Sequence, residues 1–290
     1  MTFKDKLIQA YYQNEKALSF QDQRKKSIMQ LEKNGFPTVK DEEWKYTNPL
    51  PILKQDYQLS ALSSDISKEQ LSQYILTETD TYCMVFVNGQ FSDELSSIEG
   101  VKCVICPLSV AETQCPEVIK AYWGKALPEQ ADSFVSLNNA LCQEGTFIHV
   151  PKGVVVDKPI QIIYLTNGVS EDIFLQNRNI IIAEENSQVQ LTERYQNTDS
   201  KSVFTNVVTE IFAHKDSIVD FYKIQNDQRN CSMIDNTWVN QDKQSSCTVD
   251  TFSFGSKFIR NNLSFTLNGQ HAESNMRGVT LIGENQLVDH

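Results

Sequence analysis

Two cysteines separated by two residues, Cys103-Val104-Ile105-Cys106, are the first place in this chain where residue type and spacing suggest chemistry. A C-x-x-C pair serves metal binding or thiol exchange when a second pair, or a helical turn, brings the sulfurs together. No second pair follows here, and in an extended run residues three apart face opposite sides. The pair therefore reads as two packed thiols. Cys231 and Cys247 lie in a later strand-rich stretch, where core packing outweighs a role facing a metal cluster. With Cys83, Cys115 and Cys142 the count is seven, odd and spread along a long chain, which argues against a disulfide framework.

The histidines and charged residues give no stronger constellation. His149 precedes Val150-Pro151 and reads as a packed or hydrogen-bonded side chain, while His214 falls in a polar turn and is expected in solvent. His271 follows the Asn268-Gly269 turn, and His290 is the best placed for a partner interface; metal ligation is the minor reading for both. Asp41, Glu42 and Glu43 stand next to Trp44 and read as a capping and docking feature, not a catalytic dyad. Gly124-Lys125 runs into Ala126 without the upstream glycine of a phosphate loop, and neither G-x-G-x-x-G nor H-E-x-x-H occurs. The residues thus nominate no catalytic side chain, no cofactor-binding one and no metal ligand, and the chain is expected to be no enzyme and to hydrolyse no ATP.

Composition narrows the partners. A net charge of −11 argues against nucleic acid and against anionic membrane surfaces, since both call for concentrated Lys and Arg. The one dense basic cluster, Arg24-Lys25-Lys26, sits on an expected helix face. At 40% hydrophobic and 22% charged, the composition is that of a soluble globular protein. No apolar run reaches the roughly 18–20 residues of a membrane helix, and Met1 to Lys6 lacks the apolar core of a signal peptide. The expected location is the cytoplasm.

Three regions follow one another: 1–50, helical; 51–142, mixed α/β; and 143–290, strand-rich. Leu7, Ile8, Tyr11 and Tyr12 recur at helical spacing, and a second helix is expected from Ser19 to Asn34-Gly35, with Pro37 beyond. A loop from Thr38 to Pro51 comes next. Tyr82 to Val87 reads as a strand before the Asn88-Gly89 turn, with Phe91 resuming after it. Val101 to Ile105 reads as another short strand, and 109–123 and 128–142 as helical.

In the third region, strand, polar turn, small residue and new strand recur. Ser187, Ser217, Ser245 and Ala272 hold the small-residue position at about 27–30-residue intervals. A period in this range with strand-only units points to a solenoid. Each rung carries an inward row of β-branched and aromatic side chains that it cannot bury alone, and the next rung covers that row. An antiparallel β-sandwich with accidental spacing is the alternative.

Two stretches resemble the SufB/SufD family of iron–sulfur cluster assembly scaffold proteins, and its SufD branch in particular. One is Gly35-Phe36-Pro37 followed by Asp41-Glu42-Glu43-Trp44-Lys45-Tyr46-Thr47. The other runs through Leu137-Asn138-Asn139-Ala140, Gly145 to Val154 and Lys158-Pro159-Ile160, and Leu267 to Ala272 continues the likeness. The resemblance implies a mainly β chain: a parallel, right-handed β-helix preceded by an α-helical and mixed region. It also implies a scaffold subunit without catalysis of its own, working with a SufB-like paralogue and a SufC-like ATPase, with a homodimer as a further option. No cofactor is implied for this chain alone; an Fe–S cluster or iron enters at the level of the complex. Family members run on for roughly 150 further residues, so the chain is expected to be C-terminally truncated within a rung, short of the family's interface cysteines and histidines and of the ATPase-docking helices. The rival from another class is a polysaccharide-acting β-solenoid enzyme, for which Lys223, Arg260 and Arg277 are the available basic residues. A hexapeptide-repeat acyltransferase lacks its six-residue period here.

Overall fold

The computed structural model describes residues 2–14, 19–59 and 66–290. Its repeating unit is set by a corner. At Glu184–Ser187, His214–Ser217 and Asp242–Ser245 the third residue is left-handed, with φ of 59° at Asn186, 58° at Asp216 and 61° at Gln244. Such a conformation costs a residue other than glycine about 1 kcal/mol or more. Stacking offsets the cost: the Asn186 N–H donates to the Lys215 carbonyl (3.0 Å), and the Asp216 N–H to that of Lys243 (3.1 Å). The small residue after it lies buried, and the hydroxyls of Ser217 and Ser245 fold back onto the carbonyls of His214 (2.6 Å) and Asp242 (2.8 Å). A bulkier side chain has no room there.

These corners link two sheets. One contains β3 (Val104–Pro107), β4 (Thr146–Val150), β6 (Ile173–Ala183), β8 (Val203–Ala213), β10 (Ser232–Gln241), β12 (Phe258–Leu267) and β14 (Leu287–Asp289). The other contains β1 (Tyr82–Val87), β2 (Gln90–Phe91), β5 (Ile160–Thr166), β7 (Gln188–Asn197), β9 (Ile218–Gln225), β11 (Ser246–Ser253) and β13 (Glu273–Thr280). From β4 onward every ladder between rungs is parallel, so the fold is the expected parallel β-solenoid, of five turns, and not a sandwich. Met84, Ile148, Ile162, Ile181, Leu191, Ile211, Phe221 and Val249 fill its lumen.

The sheets differ in what covers them. Strand β9 alternates exposed or half-buried with buried residues, as a strand with one wet face must, whereas β8 is buried along its whole length. The cover over β6, β8 and β10 comes from the helical region. Phe3, Leu7 and Tyr11 of α1 (Phe3–Asn14), Ile28 and Leu31 of α2 (Gln21–Asn34) and Phe134 and Leu137 of α7 (Ser133–Leu141) pack on Phe174, Phe204 and Ile234. Beside them, the guanidiniums of Arg24 (5.0 Å) and Arg178 (4.9 Å) both lie against the Trp123 ring. Arg24 also caps the C-terminus of α7, donating to the carbonyl of Cys142 at 2.6 Å. Glu210 pairs with Arg178 and accepts the N–H groups of Gly124 and Ala126, each at 2.8 Å.

Several local expectations shift. The second helix starts at Gln21, not Ser19, because Phe20 takes the left-handed conformation (φ 56°) and the Ser19 carbonyl is held by Arg24 Nε. Its end matches, with Gly35 at φ 69°. The region expected to be helical takes in residues 15–18, which lie outside the described residues. The Thr38–Pro51 loop holds a 3-10 turn at Glu42–Trp44 and the first residues of α3 (Leu50–Leu53), and α4 (Lys68–Ser72), α5 (Leu108–Gln114) and α6 (Pro116–Tyr122) follow. The strand expected at Val101–Ile105 is β3, three residues later at its start, because it takes its register from antiparallel pairing with β4. Strands β1 and β3 carry the two sheets upstream of residue 143, through parallel pairing of β1 with β5.

Candidate functional site

Strand phase decides where the unusual charges go. In β9, Val219, Phe221, Lys223 and Gln225 share one face, and the first two belong to the lumen core. Lys223 must then point inward, and its side chain is 4% exposed. The same logic carries Glu193 inward beside Leu191 and Tyr195 on β7, and Asp235 beside Met233 on β10.

The three meet inside the solenoid. Lys223 Nζ lies 2.5 Å from Asp235 Oδ2 and 3.8 Å from Glu193 Oε2, and it donates to Thr237 Oγ1 at 2.8 Å. Glu193 accepts from Asn179 Nδ2 (2.6 Å) and from the Tyr195 hydroxyl (3.1 Å). Burial pushes its carboxyl up to about 7, against the pull of Lys223. Two carboxylates facing one ammonium leave an excess negative charge, and a proton on Glu193 removes it.

Hydrogen bonds extend this cluster both ways along the lumen. Towards the first rung, the Tyr164 hydroxyl donates to Asn179 Oδ1 (2.7 Å) and meets Thr146 Oγ1 (2.9 Å), with the Tyr164 and Tyr195 rings stacked 4.8 Å apart. Towards the last, Gln225 donates to Asp235 (3.3 Å) and to Asn261 (2.7 Å). Asn261 contacts His290 Nδ1 (3.3 Å), and His290 Nε2 contacts the Thr280 hydroxyl (2.9 Å). The arrangement can hold and share protons within the core. Its one amine is gripped by carboxylates and is not presented as a nucleophile.

The residues singled out in the sequence are dispersed. Lys223 lies in the lumen, Arg260 lies on the opposite outer face over Trp44 (4.3 Å), and Arg277 pairs with Asp250 (2.8 Å) on the outer face of the other sheet. They do not form the single-face set that a polysaccharide-acting enzyme requires, because they belong to three different surfaces. Cys103 packs against the lumen core and Cys106 against the Trp123 cluster, on opposite sides as strand geometry implies. Burial pushes the Cys103 thiol up to about 12, Cys106 and Cys83 to about 11, and Cys247 to about 12. Burial, with Asp227 beside it, raises Cys231 further still.

His214 is not free in solvent: it lies between Asp242 (Nδ1, 2.8 Å) and the Tyr122 hydroxyl (Nε2, 2.8 Å). His149 contacts Glu184 at 3.0 Å, while His271 is exposed at the fourth left-handed corner (φ 60°). Among the described residues, no three His, Cys, Asp or Glu side chains converge as a metal-binding set. Glu193 and Asp235 went unnoticed in the sequence; their in-phase placement with apolar strand residues was the available signal.

Comparison with known proteins adds the following. Residues 2–162 match the family described as SufBD protein N-terminal region, and residues 164–290 match the SufBD core domain of SUF-system FeS cluster assembly. An iron-sulfur cluster assembly SufBD family protein of Synechocystis is 24% identical over 265 residues, covering 88% of this chain and 58% of its own. SufBD family proteins of Staphylococcus saprophyticus and Staphylococcus epidermidis are 29% and 30% identical, each match covering 60% of this chain and 37% of the relative. The chain thus spans well under two thirds of these relatives' length.

Proposed function

The chain belongs to the SufBD family of iron–sulfur cluster assembly proteins, and on that premise we propose that it is a SufD-like scaffold subunit working beside a SufB-like paralogue and a SufC-like ATPase. In this reading it contributes a rigid platform on which the cluster is the cargo, and it performs no turnover itself. The observation that carries the reading is the family match, which extends through residues 2–162 and 164–290 and so takes in both the helical cover and the rungs. The SufD assignment leans on the Gly35–Thr47 stretch, whose Trp44 and Thr47 are buried and tie the N-terminal region to the last rungs through Arg260 and Asp289.

The physical basis of a platform is on hand. A solenoid with paired backbone along every rung, a packed lumen and one face clamped by helices resists bending, so attached partners keep a fixed spacing. Purifying the tagged full-length protein from its own cells and identifying the co-purifying chains tests the proposal. A SufB-like and a SufC-like subunit in stoichiometric amounts are expected, and cells lacking the gene should lose activity of iron–sulfur enzymes. Absence of both subunits, with normal iron–sulfur enzyme activity in the deletion strain, would overturn it. Cleavage of pectin-like polymers by the pure chain would favour the polysaccharide-acting alternative, which has only the general solenoid shape behind it.

A further inference from the structure

Away from the lumen, a groove of about 770 Å³ runs between residues 34–44, the N-terminus of α7 and the outer faces of β10 and β12. Phe36, Pro37, Trp44 and Trp238 supply flat, stiff walls. Two donors on its lining have no hydrogen-bond partner among the described residues. Asn236 is 1% exposed, and its Nδ2 makes no hydrogen bond although its Oδ1 accepts from Asn262 (2.7 Å). Arg260 Nε is likewise unpaired, while Nη1 of the same guanidinium binds Asp289 at 2.6 Å. Leaving buried N–H groups without acceptors costs about 1–3 kcal/mol each, so such a pair calls for acceptor oxygens.

The charge on the rim has the other sign. Asp41, Glu42 and Glu43 are exposed at the mouth, and Asp132 lies at the base with its carboxyl raised by burial. Four carboxylates stand against one guanidinium that Asp289 already neutralises. Phosphate-bearing ligands are repelled, and a cation is attracted.

We propose that this groove docks an extended segment of a partner protein that carries lysine or arginine. Main-chain carbonyl oxygens of the segment take the donors of Asn236 and Arg260, its backbone lies against the aromatic walls, and its basic side chains meet the acidic rim. Asp41 also caps the turn at Thr38, whose N–H donates to its Oδ2 at 2.7 Å, and the exposed Glu42 and Glu43 then have a use. The proposal does not depend on the scaffold reading above.

The test uses the full chain, a dye-labelled octapeptide of alternating glycine and lysine, and its glycine–glutamate counterpart, titrated at about 150 mM salt to suppress non-specific attraction. Saturable one-to-one binding of the lysine peptide alone is expected. Neutralising the rim together (Asp41→Asn, Glu42→Gln, Glu43→Gln) should weaken it at least about tenfold. Neutralising three exposed acids outside the groove (Asp93→Asn, Glu94→Gln, Glu99→Gln) should weaken it less than about twofold. Trp238→Ala keeps the charge and removes a wall, and should cost about fivefold or more. Asn236→Leu should do the same, with unfolding curves confirming that it remains folded. Equal loss in both charge-neutralised proteins, equal binding of the glutamate peptide, or no effect of Trp238→Ala and Asn236→Leu together would overturn the proposal.

Discussion

Arg178 on β6 and Glu210 on the adjacent β8 form an ion pair closed to water, both side chains being 0% exposed between the sheet and its helical cover. Both Nη atoms of Arg178 are engaged, while its buried Nε has no hydrogen-bond partner among the described residues. Arg178 Nη1 donates to Asn139 Oδ1 (2.6 Å), its guanidinium faces Trp123, and Glu210 takes two backbone N–H groups from the turn after α6 (Pro116–Tyr122). The pair fixes where the helical region sits on the solenoid.

Removing one partner should therefore be costly. Arg178→Met leaves a buried carboxylate and is expected to lower stability by about 3–5 kcal/mol. Arg178→Met with Glu210→Leu should recover part of the loss, but not all, because the Gly124 and Ala126 N–H groups then lack an acceptor. Urea unfolding of the three proteins checks this. A single variant as stable as the parent would contradict the described pairing.

Glu193 makes stability depend on pH. Its carboxyl is raised from 4.5 to about 7 in the fold, so between those values the folded state binds the extra proton. Its contribution is greatest below about 4.5, declines as pH rises through about 7, and is flat above that. Glu193→Gln should remove this component, so the parent's stability difference between pH 5 and pH 8 should exceed the variant's. Identical pH profiles would place the proton elsewhere.

Thiol chemistry offers a third check. Cys83, Cys142, Cys231 and Cys247 are buried, and burial raises each thiol. They should react with a thiol reagent at neutral pH only as fast as the fold opens. The half-buried Cys115 should be modified first, and mass spectrometry of partly labelled protein would identify it. Rapid labelling of Cys247 would contradict a closed lumen.

Gly145, just before β4, has φ of 153°, and a Cβ added there would meet the Arg178 carbonyl oxygen at 1.9 Å. Gly145→Ala should displace β4 from β6 and lower the thermal midpoint by several degrees or more, since about 2 kcal/mol is a large share of a domain's stability. The control Gly153→Ala has nothing within 4 Å, so only its left-handed backbone (φ 74°) opposes the change, at about 1 kcal/mol. A larger loss at residue 153 would count against this account.

The solenoid was legible because its corner is written locally. A left-handed residue followed by a small one recurs at Asn186-Ser187, Asp216-Ser217, Gln244-Ser245 and His271-Ala272, and sequence spacing alone exposes it. The lumen cluster was not, because Glu193, Lys223 and Asp235 come from three strands and a polar residue in an alternating strand ordinarily faces water. Their phase with Leu191, Phe221 and Met233 shows otherwise, once the strand edges are known. His214 misled for a similar reason: its turn is polar, but α6 lies across it and supplies Tyr122. The start of β3 depended on a partner strand about 40 residues away, which local propensity does not contain.

The way β1 and β3 open the two sheets bears on the order in which the molecule is made. Every later strand pairs with one about 30 residues earlier, as Asp235 does with Val207 and Val207 with Asn177, while β1 and β3 offer β5 and β4 their first edges. A chain leaving the ribosome N-terminus first thus always has its next template folded and waiting, and never needs one not yet synthesised. From β6 onward growth is vectorial: each turn adds to the one before, the search spans about 30 residues, and strand edges are covered soon after they appear, whereas the edge of β1 waits 78 residues for β5.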